Sequence, residues 1–352
     1  MDEIVSLDLT GTPYEQGVQQ GKILFEEIRN NVNNAKSLLG NAAEQSSYKW
    51  FLENNLAYLS ASFPELIEEM KGISVGSEIP FIDIVQLNIP AYFLSDQFIQ
   101  ECSMILARGN ATEDRKTYIV KNRDMRAPIK QVLLKRKYPN GQVISEISGI
   151  GTVTYPASGL NSYGLGVTTT GFWSSKVIPD INLADKSQVF FNIHILLKQC
   201  RNVDEAVLLL EKLPVMNGLN LILADCDKAC VAEMTKDKMV VTWDEEDGLL
   251  YRTNHYVTDE LRKLNPDVTE YPSTFTRYQR IDALLHQLYG HIRFQDLLRI
   301  LSDHHDGING ICRHPEGAIT AQTVSTTFIV VEDGELWTTL TNPCKAIPHM
   351  SL

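Results

Sequence analysis

Several features are missing from this 352-residue sequence, and each absence removes a class of protein. No window holds the roughly 18 uninterrupted apolar residues that cross a bilayer. The start, Met1-Asp2-Glu3-Ile4-Val5, carries acid where a signal peptide carries base followed by an apolar core. A soluble, cytoplasmic protein with no membrane partner is expected. Positive charge is also short: Lys and Arg number 32 against 44 Asp and Glu, for a net charge of −12. Phosphate backbones need a concentrated basic footprint, and Lys135-Arg136-Lys137 is too short to be one, so no nucleic-acid partner is expected. Low-complexity tracts and internal repeats are absent, and the 43% hydrophobic and 22% charged fractions suit a chain folded nearly end to end. Cysteines are few and scattered: Cys102, Cys200, Cys226, Cys230, Cys312 and Cys344 are expected as free thiols, not as a disulfide framework.

What is present falls into three blocks. A short strand, Ile4 to Leu9, leads into Gly11-Thr12-Pro13-Tyr14-Glu15-Gln16-Gly17, which reads as a helix start with Thr12 as N-cap and Pro13 at the first helical position. Helical spacing then continues to about residue 90, through Leu56 to Met70 with a break at Phe63-Pro64, and Ile82 to Leu87. From Cys102 the pattern turns to strands: Val143 to Ile147, Gly151 to Tyr155, Gly164 to Thr170, Leu219 to Ala224, Cys230 to Met234 and Met239 to Trp243. Turns are expected at Pro156-Ala157-Ser158-Gly159 and Asn161-Ser162-Tyr163-Gly164. Helices interrupt at Asn192 to Cys200, Asp204 to Leu213, Thr274 to Tyr289 and Phe294 to Ser302. A closing hairpin pairs Ser325 to Val331 with Leu336 to Leu340 across Asp333-Gly334. Short connections between most strands suggest antiparallel sheets covered by helices.

The stretch with the most chemistry is a hairpin whose first strand, Glu101 to Ala107, begins with a cysteine, and whose second is Thr117 to Asp124. Pairing across the polar turn from Arg108 to Asp114 is expected to bring Cys102 near Lys121, Asn122 and Asp124. A thiol facing a polar cluster is a candidate nucleophile, and the same residues also fit a buried core cysteine. No histidine is placed beside Cys102 by local spacing. A base can still be found if the bond before Cys102 is cut, because the freed α-amino group, with an ordinary pKa near 7.7 to 8.0, then reaches its own thiol.

Cys102-Ser103 followed by Lys121-Asn122-Arg123-Asp124 resembles the N-terminal nucleophile (Ntn) hydrolases, in particular the isopenicillin-N (acyl-CoA:6-aminopenicillanic acid) acyltransferase family, with the bile salt hydrolases more distant. The resemblance runs along the whole chain. It includes Gly11 to Gly17 with Gly21, Gly159 to Leu165, Leu223-Ala224-Asp225, Arg252-Thr253-Asn254-His255, Ser273 to Arg277, Ile311-Cys312-Arg313-His314-Pro315 and Asn342-Pro343-Cys344. It implies an α+β, four-layer αββα sandwich with two mostly antiparallel sheets. In that scheme residues 1–101 form a helical leading segment and 102–352 the catalytic part.

By position, the resemblance makes Cys102 the nucleophile, Asp124 the acid that binds its amine, Asn254 the oxyanion-hole donor and Arg277 the organiser of the nucleophile and Asp124. Lys121 stands where relatives often have Arg, and Gly171, Phe172 and Trp173, with Tyr92-Phe93, are candidates for the substrate pocket. Glu101 stands where the family usually has Gly, which permits the strained peptide that self-cleavage exploits. The implied substrate is a small-molecule amide or an acyl-CoA, with no cofactor and with a homo-oligomer allowed. The implied activity is acyl transfer through a Cys102 thioester to an amine or to water. Strict C–N amide hydrolysis, and an unprocessed binding protein, are the alternatives. No metal is expected. Cys226 and Cys230 lack a second ligand pair, while His304-His305, Cys312 and His314 offer ligand types in a segment that recurs in the resemblance without implying an ion.

Overall fold

The computed structural model describes residues 6–40, 46–89, 100–125, 129–153, 158–172, 174, 176–177, 192–213, 215, 218–245, 247–317 and 321–350. Thr12 starts the first helix as its sequence signature predicts. Its hydroxyl accepts from the Glu15 N–H, and the Glu15 carboxylate accepts from the Thr12 N–H at 2.7 Å, which satisfies two otherwise orphaned donors of α1 (Pro13–Ile23). Next come α2 (Phe25–Leu39), α3 (Ser46–Ser62), α4 (Pro64–Ser77) and α5 (Phe81–Asn88), with the expected break at Phe63 before a proline-led helix. Glycine decides how α1 and α4 meet. A Cβ on Gly17 would lie 2.2 Å from the Glu69 carbonyl oxygen, and one on Gly72 2.1 Å from that of Tyr14, so the two backbones touch directly.

These helices cover an eight-stranded sheet. Its edge strand β1 (Ser6–Thr10) runs parallel to β4 (Gln131–Lys137). Beyond it β5 (Val143–Gly149), β6 (Ser158–Asn161), β7 (Gly166–Gly171), β8 (Leu219–Ala224), β9 (Ala229–Met234) and β10 (Met239–Trp243) follow in order, antiparallel throughout. The second sheet has the order β11 (Leu249–Arg252), β2 (Gln100–Ala107), β3 (Tyr118–Met125), β12 (Gln322–Val330), β13 (Glu335–Thr339) and β14 (His349–Met350), also antiparallel.

Alternation along the strands sets the layers. Val132, Leu134, Leu221 and Leu223 face α1 to α5, together with α6 (Asn192–Gln199) and α7 (Val203–Leu210). Their neighbours Leu133, Ile147, Leu160 and Ile222 face inward against Met104, Leu106, Ile119 and Ile329 of the second sheet. The far side of that sheet, Ile105, Val120, Phe328 and Val330, packs against α8 (Pro272–Gln287) and α9 (Phe294–Leu301). The result is a four-layer αββα sandwich of two mostly antiparallel sheets. Among the described residues no helix is long and apolar enough to cross a membrane.

Three expectations require correction. Residues 151–153 form a turn, with Gly151 at φ +81°, so the strand expected from Gly151 to Tyr155 is absent there, while 154–157 fall outside the described residues. Ser158 and Gly159, expected in a turn, open β6 by pairing with Thr168 and Val167. The hairpin register sets Cys102 opposite Arg123 and Glu101 opposite Asp124. Because successive side chains alternate, Asn122 and Asp124 turn away from the Cys102 face, and Lys121 is the member of the expected trio that shares it.

Candidate active site

The site is built where β2, β11 and the start of α8 meet. β11 runs antiparallel to β2 with Arg252 opposite Met104, so two residues further on the chain carries Asn254 alongside Cys102. The Cys102 N–H donates to Asn254 Oδ1 at 3.0 Å. This loop is tied to the first turn of α8: the Thr274 hydroxyl accepts from the Asn254 N–H at 2.8 Å, and the Thr253 hydroxyl donates to the Thr274 carbonyl at 2.8 Å. The Asn254 amide is oriented without ambiguity, since its oxygen also accepts from Arg277 Nη2 at 2.9 Å and its Nδ2 donates to the Gly171 carbonyl at 2.7 Å.

Arg277 lies one turn beyond Ser273 on α8, fully buried, and its planar fork spans the start of β2. Nη1 donates to the Cys102 carbonyl and, at 3.0 Å, to the Ser103 hydroxyl, while Nη2 reaches Glu101 Oε2 at 3.2 Å. Glu101 also accepts from the Ser273 hydroxyl at 2.6 Å and forms a close ion pair with Arg313. Burial alone raises its pKa, yet the two guanidiniums outweigh burial and hold the carboxyl below the usual range.

Across the hairpin Asp124 is in a different position. Its Oδ1 accepts from the Thr323 hydroxyl at 2.6 Å, and its buried Oδ2 has no hydrogen-bond partner among the described residues. Burial pushes Asp124 up to about 6 against the pull of Arg277 and Arg313. On the opposite face, burial brings Lys121 down to about 8, while its contact with the Cys102 thiol opposes that fall. Its ammonium also donates to the Thr169 carbonyl at 2.5 Å. Cys102 itself is 2% exposed.

The structure thus gathers Cys102, Asn254, Arg277, Lys121 and the Gly171 carbonyl around one peptide bond. Asp124 sits one strand away on the reverse face. Phe172 packs under Tyr256 with ring centroids 3.9 Å apart, in a small apolar cluster with Leu261. Trp173 and the Tyr92-Phe93 pair lie outside the described residues. Asn122 ties down the covering layer, donating to the Leu301 and Ile311 carbonyls at 2.8 and 3.0 Å. Sequence reasoning gave no role to Ser273 or Arg313, the partners of Glu101. Arg313 lies more than two hundred residues along the chain from Glu101, and the only local signal is that a carboxylate entering a buried strand needs a cation.

A family model for acyl-coenzyme A:6-aminopenicillanic acid acyl-transferase matches residues 111–345. No curated protein matches the chain. Among solved structures, a mutant conjugated bile acid hydrolase from Clostridium perfringens is similar at 16% identity and a TM-score of 0.47, covering 71% of this chain and 96% of that one. Penicillin V acylase from Agrobacterium tumefaciens is similar at 18% identity and a TM-score of 0.48, covering 71% of this chain and 84% of that one.

Proposed function

The chain belongs to the acyl-coenzyme A:6-aminopenicillanic acid acyl-transferase family, an enzyme class acting on amide bonds, and from that premise we propose that it cuts itself between Glu101 and Cys102 and then works as a cysteine Ntn acyltransferase or amidohydrolase. The observation that carries the reading is Asp124 Oδ2, a buried carboxylate oxygen beside Glu101 on the neighbouring strand and without a partner among the described residues. A buried acid of this kind is costly unless a cation arrives, and an ammonium freed at Cys102 would be that cation.

In the proposed cut, the Cys102 thiol attacks the Glu101 carbonyl carbon. The peptide C–N bond breaks, the nitrogen leaves as a protonated amine, and water hydrolyses the resulting thioester to the Glu101 carboxylate and a free thiol. In turnover the amine takes the thiol proton, and the sulfur attacks the carbonyl of a small amide or an acyl-CoA. Asn254 Nδ2, which spends one of its two hydrogens on Gly171, offers the other to the oxyanion. The acyl group leaves the sulfur for an amine or for water.

Intact-mass measurement of wild type against Cys102→Ala tests this. The expected result is a wild type in two associated pieces, residues 1–101 and 102–352, and a variant in one. A wild type that stays whole yet turns over amides would remove the amine as base and leave Lys121, already near 8, as the nitrogen beside the thiol. A second reading is favoured by the double-arginine grip on Glu101. It is an uncut, inactive binding protein, expected to be whole and unreactive toward both amides and thioesters.

A further inference from the structure

We propose that His304, Cys312, His314 and Cys344 form a closed tetrahedral zinc site that fixes Arg313 in place. The four ligand atoms lie within 4.8 Å of one another. Cys312 Sγ and Cys344 Sγ are 3.7 Å apart, His314 Nε2 is 3.7 and 3.3 Å from the two sulfurs, and the His304 and His314 Nε2 atoms are separated by 3.0 Å. Around a tetrahedral zinc with Zn–S near 2.3 Å and Zn–N near 2.0–2.1 Å, the edges come to about 3.8 Å for S···S, about 3.6 Å for S···N and about 3.3 Å for N···N. Four of the six edges fall within about 0.3 Å of those values, and the two from His304 to the sulfurs are no longer than 4.8 Å. A disulfide cannot account for the sulfur pair, since it needs a separation of about 2.05 Å.

Hydrogen bonding alone does not explain the cluster. His314 Nε2 faces three ligand atoms within 3.7 Å, whereas one ring nitrogen offers either one proton or one lone pair. A shared cation satisfies all of them at once. Two thiolates with two imidazoles select zinc among the common divalent ions, and four protein ligands leave no open position, so the role is structural. Binding releases the two thiol protons. The outer shell is present as well: Asn342 Nδ2 lies 3.9 Å from Cys312 Sγ and donates to the Arg313 carbonyl at 2.7 Å.

The ligands come from three places: His304 just after α9, Cys312 and His314 on the loop before β12, and Cys344 after β13. Arg313 stands between two of them in sequence and reaches Glu101 on β2. The ion would therefore hold the backbone from which that guanidinium is aimed.

The test is metal analysis of the full chain purified without chelator, followed by cobalt titration of the metal-stripped protein. The expected result is about one zinc per chain and the intense red-region absorption of tetrahedral sulfur-ligated cobalt. Both should be lost in Cys344→Ser and in His304→Ala, two exposed ligand positions, and kept in Cys226→Ser, an exposed cysteine outside the cluster. Three results overturn the proposal: wild type with well under one metal per chain and no such cobalt spectrum, a Cys312–Cys344 disulfide in non-reduced peptide maps, or loss of the metal in Cys226→Ser.

Discussion

Arg136 and Arg277 are both fully buried guanidiniums paired with buried carboxylates, Arg136 on β4 of the larger sheet and Arg277 on α8, which covers the other. Arg136 on β4 donates to Glu146 at 2.7 Å and to Glu69 of α4 at 2.5 Å, and His194 of α6 closes the group at 3.0 Å from Glu146. There His194 and Arg136 overcome burial and bring Glu146 down to about 2. The Arg277 group holds Glu101 down in the same way, but across the hairpin it leaves Asp124 near 6, with one oxygen that has no hydrogen-bond partner among the described residues. In the first cluster both acids accept from Arg136, which ties α4 to the sheet, and Glu146 is held ionised while burial raises Glu69 against the pull of Arg136. A cluster that leaves an acid short of a cation is poised to receive something, and the bond that could supply it lies on the adjacent strand.

The largest expected effect would break the first cluster. Arg136→Met strands Glu69 and Glu146 in the interior and should cost about 3–5 kcal/mol, read by denaturant unfolding in a Cys102→Ala background that keeps the chain whole. A cost under about 1 kcal/mol would mean the carboxylates find protons or water at little expense. Next come the reactive side's own donors. Asn254→Ala should fold yet lose about 10² to 10³ in turnover on any substrate found, and activity within about threefold of wild type would remove Asn254 from the site. Arg277→Lys keeps the charge and loses the fork across Cys102, Ser103, Glu101 and Asn254, so cutting should slow by about 10²-fold.

A pH series sharpens the contrast. In uncut Cys102→Ala, Asp124 has a folded pKa of about 6 against an ordinary 3.8, so the folded state binds the extra proton between those values. Its contribution is full below about pH 4 and lost as pH rises through about 6, on the order of 3 kcal/mol at about 1.36 kcal/mol per unit. Glu101 and Glu146, whose carboxyls are held below the usual range, have the opposite sign, and Glu69, raised by burial, shares the sign of Asp124. Adding Asp124→Asn should flatten the slope, and an unchanged slope would mean another group carries it. The smallest effect belongs to Arg280→Lys. Arg280 is partly exposed and pairs with Asp303 at 2.7 Å, three residues from Arg277, so turnover should change by no more than about threefold. A larger loss there than at Arg277 would exchange their roles.

Much of this could be read from the sequence where the signals were local. The capping residues Thr12 and Glu15, the break at Phe63-Pro64 and the hairpin across Asp333-Gly334 each specify their geometry within a few residues. β4 was not anticipated. Arg136 hides inside a run of three basic residues, and its partners lie on α4 and β5, so nothing nearby marks it as interior. The site divides the same way. Cys102, Lys121 and Asp124 share one hairpin and were legible, whereas Arg313 reaches Glu101 only through the meeting of β2 with the loop before β12.

The parallel pairing of β1 with β4 bears on aggregation. β1 lies before the proposed cut and β4 after it, so the leading piece supplies the strand that closes one edge of the larger sheet. Strip that piece away and the backbone groups of Gln131–Lys137 are left facing water, flanked by Val132 and Leu134, a ready template for a strand from another copy. If the proposed cut occurs, the leading piece, by staying paired, shields that edge from a strand of another copy. Conditions that separate the two pieces should yield precipitate, not a soluble smaller enzyme.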